Sequence, residues 1–374
     1  MTQFDAIKKL LRNQPLFANE DGLHESIGGR TIMVTGAGGS IGSELCRQIV
    51  PYRPGCLVLL GHGEHSIFTI ASELSTRFPD GRFVSVIANI QDRKRLKNVF
   101  AELRPDTVFH AAAHKHVPLM EENIGEAIIN NVLGTENTVR AAIEFDTKTF
   151  VFISTDKAVN PVSIMGATKR VAEIIVGEAA KKTLRCFVSV RFGNVIGSRG
   201  SVVSTFQEQI ARGGPLTVTH PEMERYFMTT HDAVHLVLQA SKLGKGGEVF
   251  VFDMGRPLKI VDIARALIES HASKNGQIEI VFTGARPGER LTEEIVRDGH
   301  YEATEHPRVL VMRNGSRDSR YTAATLRANL KSLIQAARRD DRAGMRALLT
   351  EIAPESCVME KSDSRNTAGA GATF

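Results

Sequence analysis

Along this chain, short apolar runs alternate with longer stretches whose apolar residues recur at helical spacing. Thr31 to Thr35, Leu57 to Leu60, Phe83 to Ile87, Thr107 to His110, Thr149 to Ile153 and Leu184 to Val190 are strand-sized runs. Between them the pattern predicts helices from Ser40 to about Val50, on to about Arg77, and over about Arg93 to Leu103. A long helical region then runs through about Glu144, and a further helix carries Met165 and Lys169. Strict strand–helix alternation predicts an α/β fold built on a doubly wound parallel sheet.

After Arg191 the rhythm breaks. A Gly/Ser/Asn loop, Gly193 to Ser201, is followed by a helix, a strand near Leu216 to Thr219 and a helix over about His231 to Ser241. Glu248 to Phe252 returns as a strand. Lys259 to Ser270 is amphipathic, with Ile260, Ile263, Ala264, Leu267 and Ile268 on one side. A strand, Ile278 to Phe282, and a loop, Thr283 to Arg290, follow. This predicts a smaller, mixed α/β C-terminal lobe over 192–353, interleaved with a first domain over 30–191. Residues 1–29 form a lead-in, where Phe4, Ile7, Leu10 and Leu11 have the spacing of a helix that packs on the body or on a partner subunit. Residues 354–374 are small and polar, the composition of a disordered tail. No internal repeat is present.

Composition narrows the function. The chain has 374 residues, enough for a nucleotide-binding domain with an appended lobe. Its apolar runs are too short for a transmembrane helix, and its start lacks the pattern of a secretion signal. Four cysteines at Cys46, Cys56, Cys186 and Cys357 show no ligand spacing, and three lie in apolar stretches as buried free thiols do. A reducing, cytoplasmic home is expected. The net charge of +5 is scattered and Trp is absent, which argues against nucleic-acid binding and suits an anionic small substrate.

The first candidate site is Gly36-Ala37-Gly38-Gly39-Ser40-Ile41-Gly42, between a strand and a helix. In a Rossmann-type dinucleotide fold Gly36 allows the tight turn, Gly39 admits the pyrophosphate and Gly42 lets the helix pack on the sheet. Ser40 and Ile41 open that helix, whose N-terminus favours phosphate. The second strand ends at Gly61 rather than at the acidic residue usual for NAD. That leaves room for a 2′-phosphate beside His62 and favours NADP, although Glu64 could still serve an NAD ribose. Asn89, Ile90, Ala111 and Ala112, at later strand ends, complete the candidate cofactor contacts. His110, His114 and His116 fit no zinc spacing, so no metal is expected; Lys115 is the better candidate, as a cation near a phosphate or sugar.

The second candidate site is Thr155-Asp156-Lys157 with Met165 and Lys169. Met165 and Lys169 share a helix face, and Met has no acidic proton. Thr155, Asp156 and Lys157 supply a hydroxyl, an acid and a base. Asn194 and Arg199, in the loop after the sixth strand, and Arg225, Arg286 and Glu289, in the second lobe, are candidate substrate contacts. An arginine fork suits a diphosphate.

Taken together, these motifs resemble the extended short-chain dehydrogenase/reductases, where a Tyr stands four residues before the Lys. Gly-Ala-Gly-Gly-Ser-Ile-Gly-Ser-Glu, His-Lys-His-Val-Pro-Leu-Met-Glu, Ser-Thr-Asp-Lys-Ala-Val-Asn-Pro, Met-Gly-Ala-Thr-Lys-Arg, Arg-Tyr-Phe-Met-Thr and Thr-Gly-Ala-Arg-Pro-Gly-Glu are similar to the CapD-like nucleotide-sugar 4,6-dehydratases of polysaccharide biosynthesis. The likeness covers roughly residues 30 to 312. It implies oxidation of a UDP-sugar, expected to be UDP-N-acetylglucosamine, at C4 by bound NAD or NADP. Water loss across C5 and C6 and hydride return to C6 follow. It implies Asp156 as acid at C6, Lys157 as base at C5, Thr155 near the C4 hydroxyl, and Met165 as mark of the subgroup that retains C5 configuration. Many members carry an N-terminal membrane region not seen in this chain, which is expected to be a natural short form rather than an excised soluble half. A homo-oligomer, dimer or higher, is expected by analogy. Two alternatives stay open: a UDP-sugar 4-epimerase, and an inactive NAD(P)-binding sensor that lost the Tyr.

Overall fold

The computed structural model describes residues 22–271, 278–295, 301–312 and 322–358. The helix expected through Phe4, Ile7, Leu10 and Leu11 and most of the expected tail lie outside these residues. The strands are β1 (Thr31–Thr35), β2 (Cys56–Gly61), β3 (Phe83–Ile87), β4 (Thr107–His110), β5 (Thr149–Ile153), β6 (Cys186–Arg191), β7 (Asn194–Ile196) and β8 (Leu216–Val218). They continue with β9 (Glu224–Arg225), β10 (Phe227–Thr229), β11 (Val249–Phe252), β12 (Leu258–Lys259), β13 (Ile280–Phe282), β14 (Glu302–Ala303) and β15 (Val309–Met312).

Nine strands form the main sheet in the order β3-β2-β1-β4-β5-β6-β11-β15-β14. All neighbours are parallel except the pairs that involve β15. The order reverses between β1 and β4, which places a crevice outside their carboxyl ends. Sheets covered on both faces need apolar residues on both sides of each strand, and Ile32, Met33 and Val34 are all fully buried. Met33, Val58, Val108, Phe150 and Phe152 face one core, while Ile32, Val34, Leu57, Phe109 and Val151 face the other. Each fully buried Phe contributes about 1.5–3 kcal/mol.

Capping residues set where helices begin. Ser163 Oγ accepts from Gly166 N at 3.1 Å at the start of the helix Ile164–Thr183, and Asp92 does the same for Arg93–Leu103. The helix Ile164–Thr183 ends at Leu184, left-handed at φ 54 and 90% exposed. Leu184 therefore belongs to the helix stop, and β6 begins at Cys186, later than its apolar run implies. The long helical region before Glu144 is broken into Val117–Glu122, Ile124–Ala127, a wider π-turn over Ile128–Leu133, and Gly134–Glu144.

The second lobe has its own core of Phe206, Leu216, Val218, Ile263 and Leu267. It pairs β8 with β13, β9 with β12 and β7 with β10. β7 lies inside the stretch read as the Gly193 to Ser201 loop. The interleaving is extensive: β11, β14 and β15 join the main sheet, and the helices Ala323–Arg338 and Arg342–Ile352 bury Leu333, Met345 and Leu349 in the first domain's core. The beginning of the expected tail is packed too. Ser356 is buried and Cys357 N donates to Pro161 O at 2.8 Å. No helix among the described residues is long and apolar enough to cross a membrane.

Candidate active site

The carboxyl ends of β1, β4, β5 and β6 face a cleft of ≈ 670 Å³, the size of a ligand pocket. After β1 the chain turns at Gly36 (φ 69), whose missing Cβ would meet the Ala111 backbone at 2.9 Å. A Cβ on Gly42 would sit 2.1 Å from Gly36 O, so only Gly lets the helix Ser40–Ile49 begin this close to the strand. Gly39, Ser40, Ile41 and Gly42 line the cleft, and the first N–H groups of a helix suit an anion. These residues fit the pyrophosphate of a dinucleotide.

The loop after β4 is held from below. Asn131, in the π-turn, accepts from His114 N at 2.8 Å and donates to His114 O at 3.0 Å and to Thr168 Oγ1 at 3.1 Å. Ala111 and Lys115 line the cleft, whereas Ala112 packs against the core. His110 is fully buried between Thr35 Oγ1 (2.7 Å) and Thr135 Oγ1 (3.1 Å). Thr135 spends its proton on Asn131 O, so His110 Nε2 donates and Nδ1 accepts. Burial, reinforced by Lys169, pushes its pKa down to about 3. His110 is thus a neutral strut, and among the described residues no His, Cys, Asp and Glu group is placed to hold a metal ion.

After β5 the chain makes a short turn, Asp156–Ala158. Asp156 is 1% exposed and does not line the cleft; it stands behind Thr155 and Lys157, which do. Its Oδ1 accepts from Thr155 Oγ1 (2.8 Å), Lys157 N (2.8 Å) and Lys157 Nζ (3.1 Å). Its Oδ2 is buried with no hydrogen-bond partner among the described residues. Burial alone would lower the Lys157 pKa, but Asp156 and Glu293 outweigh it and hold the amine above its ordinary range, against Arg225.

Met165 and Lys169 line the cleft from one face of the helix Ile164–Thr183. Lys169 Nζ donates to Ile153 O at 2.5 Å and lies 4.2 Å from the Phe152 ring centroid. Burial lowers its pKa to about 7, with Glu173 opposing. Gly166 is required here: a Cβ would stand 2.2 Å from Lys157 O. Glu121 anchors the helix start by accepting from Ile164 N at 2.6 Å.

Beneath the turn lies a buried charge network. Glu173 accepts from Ser154 Oγ (2.6 Å), Arg191 Nε (2.7 Å) and Arg191 Nη2 (2.5 Å). Arg170 joins it at 3.3 Å and reaches Glu355 at 2.5 Å.

Asn194, Arg199, Arg225, Arg286 and Glu289 all line the cleft. Arg199 N donates to Ser40 Oγ at 3.0 Å, tying the second lobe to the glycine turn. Arg225 spends its fork on the carbonyl oxygens of Glu224, Leu291 and Arg290, so it fastens the loop after Arg286. Gly36, His62, Asn89, Ile90 and Ala112 stand outside the cleft lining. His62 is exposed at the end of β2. Asn89 closes a turn onto Gln91 N, and Ile90 is buried in the core. A Cβ on Gly61 would meet Ile67 Cδ1 at 2.9 Å, so close packing gives that glycine a reason of its own.

Sequence reasoning passed over Asn131, Glu173 and Glu293. Asn131 had a signal, a pair of Asn residues inside an apolar helical stretch, where Asn is a poor helix former. Glu293 had none, because one Glu in a polar loop is ordinary.

A family model described as "Polysaccharide biosynthesis protein" matches residues 32–314. The chain is 53% identical over 294 residues to "Capsular polysaccharide biosynthesis protein CapD" of Staphylococcus aureus, covering 78% of this chain and 49% of that protein; it spans about half the length of that relative. It is 33% identical over 273 residues (72% of this chain, 78% of the relative) to a "UDP-N-acetylglucosamine 4,6-dehydratase (inverting)" of Campylobacter jejuni. It is 35% identical over 276 residues (71% and 77%) to a "UDP-glucose 4-epimerase" of Rickettsia canadensis. With the glycine turn, the Lys169 helix and the Asp156–Lys157 turn gathered on one sheet edge, the chain belongs to the polysaccharide biosynthesis protein family, a branch of the extended short-chain dehydrogenase/reductases.

Proposed function

We propose that the chain is a nucleotide-sugar 4,6-dehydratase that acts on UDP-N-acetylglucosamine with NAD or NADP and retains the C5 configuration. Overall likeness does not choose between dehydratase and epimerase, since both kinds of relative are about equally identical. The observation that carries the reading is the Asp156 carboxylate, bonded to both Thr155 and Lys157, which line the same cleft as a methionine at 165. An epimerase has no use for an acid–base pair at C5 and C6, and Met165 cannot act as a base.

The glycine turn would hold the pyrophosphate, and His62 would meet a 2′-phosphate if the cofactor is NADP. Bound NAD(P)+ would supply the redox chemistry, accepting the C4 hydride and returning it at C6. The chain's residues move the protons. Passing the Lys157 proton to Asp156 across 3.1 Å turns an ion pair into an amine and a carboxylic acid. The amine takes the C5 proton, the acid passes its proton through the Thr155 hydroxyl to the C6 hydroxyl, and water leaves. Lys157 then returns a proton to C5 on the same face. The proton shed by the C4 hydroxyl, relayed by Thr155 or Lys169, recharges the lysine. The sum is loss of one water from the sugar. Asn194, Arg199, Arg286, Glu289 and Lys115 would hold the UDP-sugar, and Arg225 would hold the loop that presents them.

The test is to incubate the purified protein with UDP-N-acetylglucosamine and follow the sugar by NMR. A 4-keto product with a C6 methyl group is expected, and Asp156→Asn should lower its rate about 100-fold or more while bound cofactor is retained. UDP-N-acetylgalactosamine as the only product would establish the epimerase instead. No change across UDP-sugars with NAD(P) bound would establish the inactive sensor.

A further inference from the structure

We propose that Glu293, in the second lobe, is a positioning residue for Lys157 that makes proton transfer at the sugar depend on the loop carrying Arg286 and Glu289. The inference rests on the dehydratase reading. Glu293 is 6% exposed and lines the cleft, in a loop where a carboxylate would ordinarily turn to solvent. Its Oε1 lies 3.5 Å from Lys157 Nζ and 3.7 Å from Arg225 Nε. A carboxylate this buried is costly unless cations compensate it, and these two do.

Arg225 does not move freely to meet it, because its guanidinium is fixed by the carbonyl oxygens of Glu224, Leu291 and Arg290. The geometry therefore runs one way: β9 fixes Arg225, Arg225 fixes the segment Arg290–Glu293, and Glu293 fixes the lysine amine. The groups that face Lys157 come from separate elements. Asp156 stands on its own turn, Asn194 on β7 at 3.5 Å, Arg225 on β9 and Glu293 on the loop. Asp156, Glu293, Lys157 and Arg225 sum to zero charge. Removing the charge of Glu293 leaves two cations facing one carboxylate.

That change has a measurable sign. Burial favours the neutral amine of Lys157, and the two carboxylates overcome it. Without Glu293 the amine loses its proton at lower pH. Its side chain also loses its ion pair to the second lobe and keeps only Asn194 Oδ1 at 3.5 Å there, so the base is less well aimed at C5.

The experiment is competitive acylation of Lys157 in the full chain over a pH series, read by peptide mass spectrometry, in wild type, Glu293→Gln and Glu293→Asp. The midpoint of Lys157 labelling should fall by about one pH unit in Glu293→Gln, with Glu293→Asp between. In parallel, kcat for water loss from UDP-N-acetylglucosamine should fall about 10- to 100-fold in Glu293→Gln, KM should change far less, and Glu293→Asp should recover part of the rate. An unchanged midpoint, or a shifted midpoint with wild-type kcat, overturns the proposal. Labelling needs no turnover. If wild type yields no dehydrated product, the dehydratase reading fails on its own and the midpoint still decides whether Glu293 governs the lysine. If Glu293→Gln does not fold, the charge-preserving Glu293→Asp carries both readouts, and a wild-type midpoint and rate in it overturn the proposal.

Discussion

Replacing Glu173 by Gln should destabilise the chain severely, because one buried carboxylate serves two buried arginines and the strand end that leads into the turn Asp156–Ala158. Glu173 is fully buried, Arg191 is 3% exposed and Arg170 is 7% exposed. Gln keeps the shape and one acceptor for Ser154 Oγ, but it removes the charge that Arg191 meets at 2.7 and 2.5 Å and Arg170 at 3.3 Å. Arg170 would keep Glu355; Arg191 would lose the paired carboxylate. Breaking a buried pair from one side costs about 3–5 kcal/mol, a large part of a typical folding free energy. The assay is urea unfolding at pH 8, comparing midpoints at an unchanged slope. The pH dependence supplies a second, independent sign. Burial alone would raise the Glu173 pKa, but Arg191, Arg170 and Ser154 hold it below 4.5. A depressed carboxyl contributes stability that is present above its unfolded value and is lost as pH falls through the folded one. The gap between wild type and Glu173→Gln should therefore be widest above about pH 4.5 and close below it. A difference under about 1 kcal/mol at pH 8, or one that does not narrow in acid, would refute this account of the network.

Two further predictions concern the cofactor side of the cleft. Gly42→Val should abolish NAD(P) binding, measured by fluorescence or by cofactor retention on purification, since even a Cβ would sit 2.1 Å from Gly36 O and the branched side chain adds to that; retained binding would show that the turn can move. Lys169 is held near 7 by burial, below the 10.5 of an exposed lysine, so the folded chain sheds this proton first. Stability should then rise with pH between about 7 and 10.5 and be lowest below 7. Lys169→Met should flatten that rise in urea unfolding at pH 6.5, 8 and 9.5, and parallel curves for the two proteins would remove Lys169 as its source.

What the sequence made legible follows from the range of the interactions involved. The strands β1 to β6 and the glycine turn are written locally, in apolar runs and in three glycines. β6 slipped because Leu184 is apolar by composition but sits in a left-handed helix stop, exposed; only the backbone tells the two apart. β7 was hidden because three residues, Asn194–Ile196, pair with β10 across the lobe rather than with a sequence neighbour. The turn proposed to carry the chemistry shows the same limit. Thr155, Asp156 and Lys157 are adjacent, and their types announce proton transfer. That Asp156 stands behind the other two, with Oδ1 fully engaged and Oδ2 buried, depends on the approach of Gly193 and the helix Ile164–Thr183. A Cβ on Gly193 would come within 3.0 Å of Asp156 Oδ2. Glu293 lies 136 positions from Lys157 (293 minus 157), so no spacing rule could join them. The consequence for mechanism is specific. An acid that the cleft reaches only through a hydroxyl and an amine can trade protons with a sugar only when those two groups are already aligned. On this reading Glu293 aligns the amine from across the cleft, while Glu173 holds Ser154 at the end of the strand that precedes the turn. Under the proposed mechanism Met165 needs no proton of its own, because the proton-moving groups would stand one loop upstream, held there by charges drawn from elsewhere in the chain.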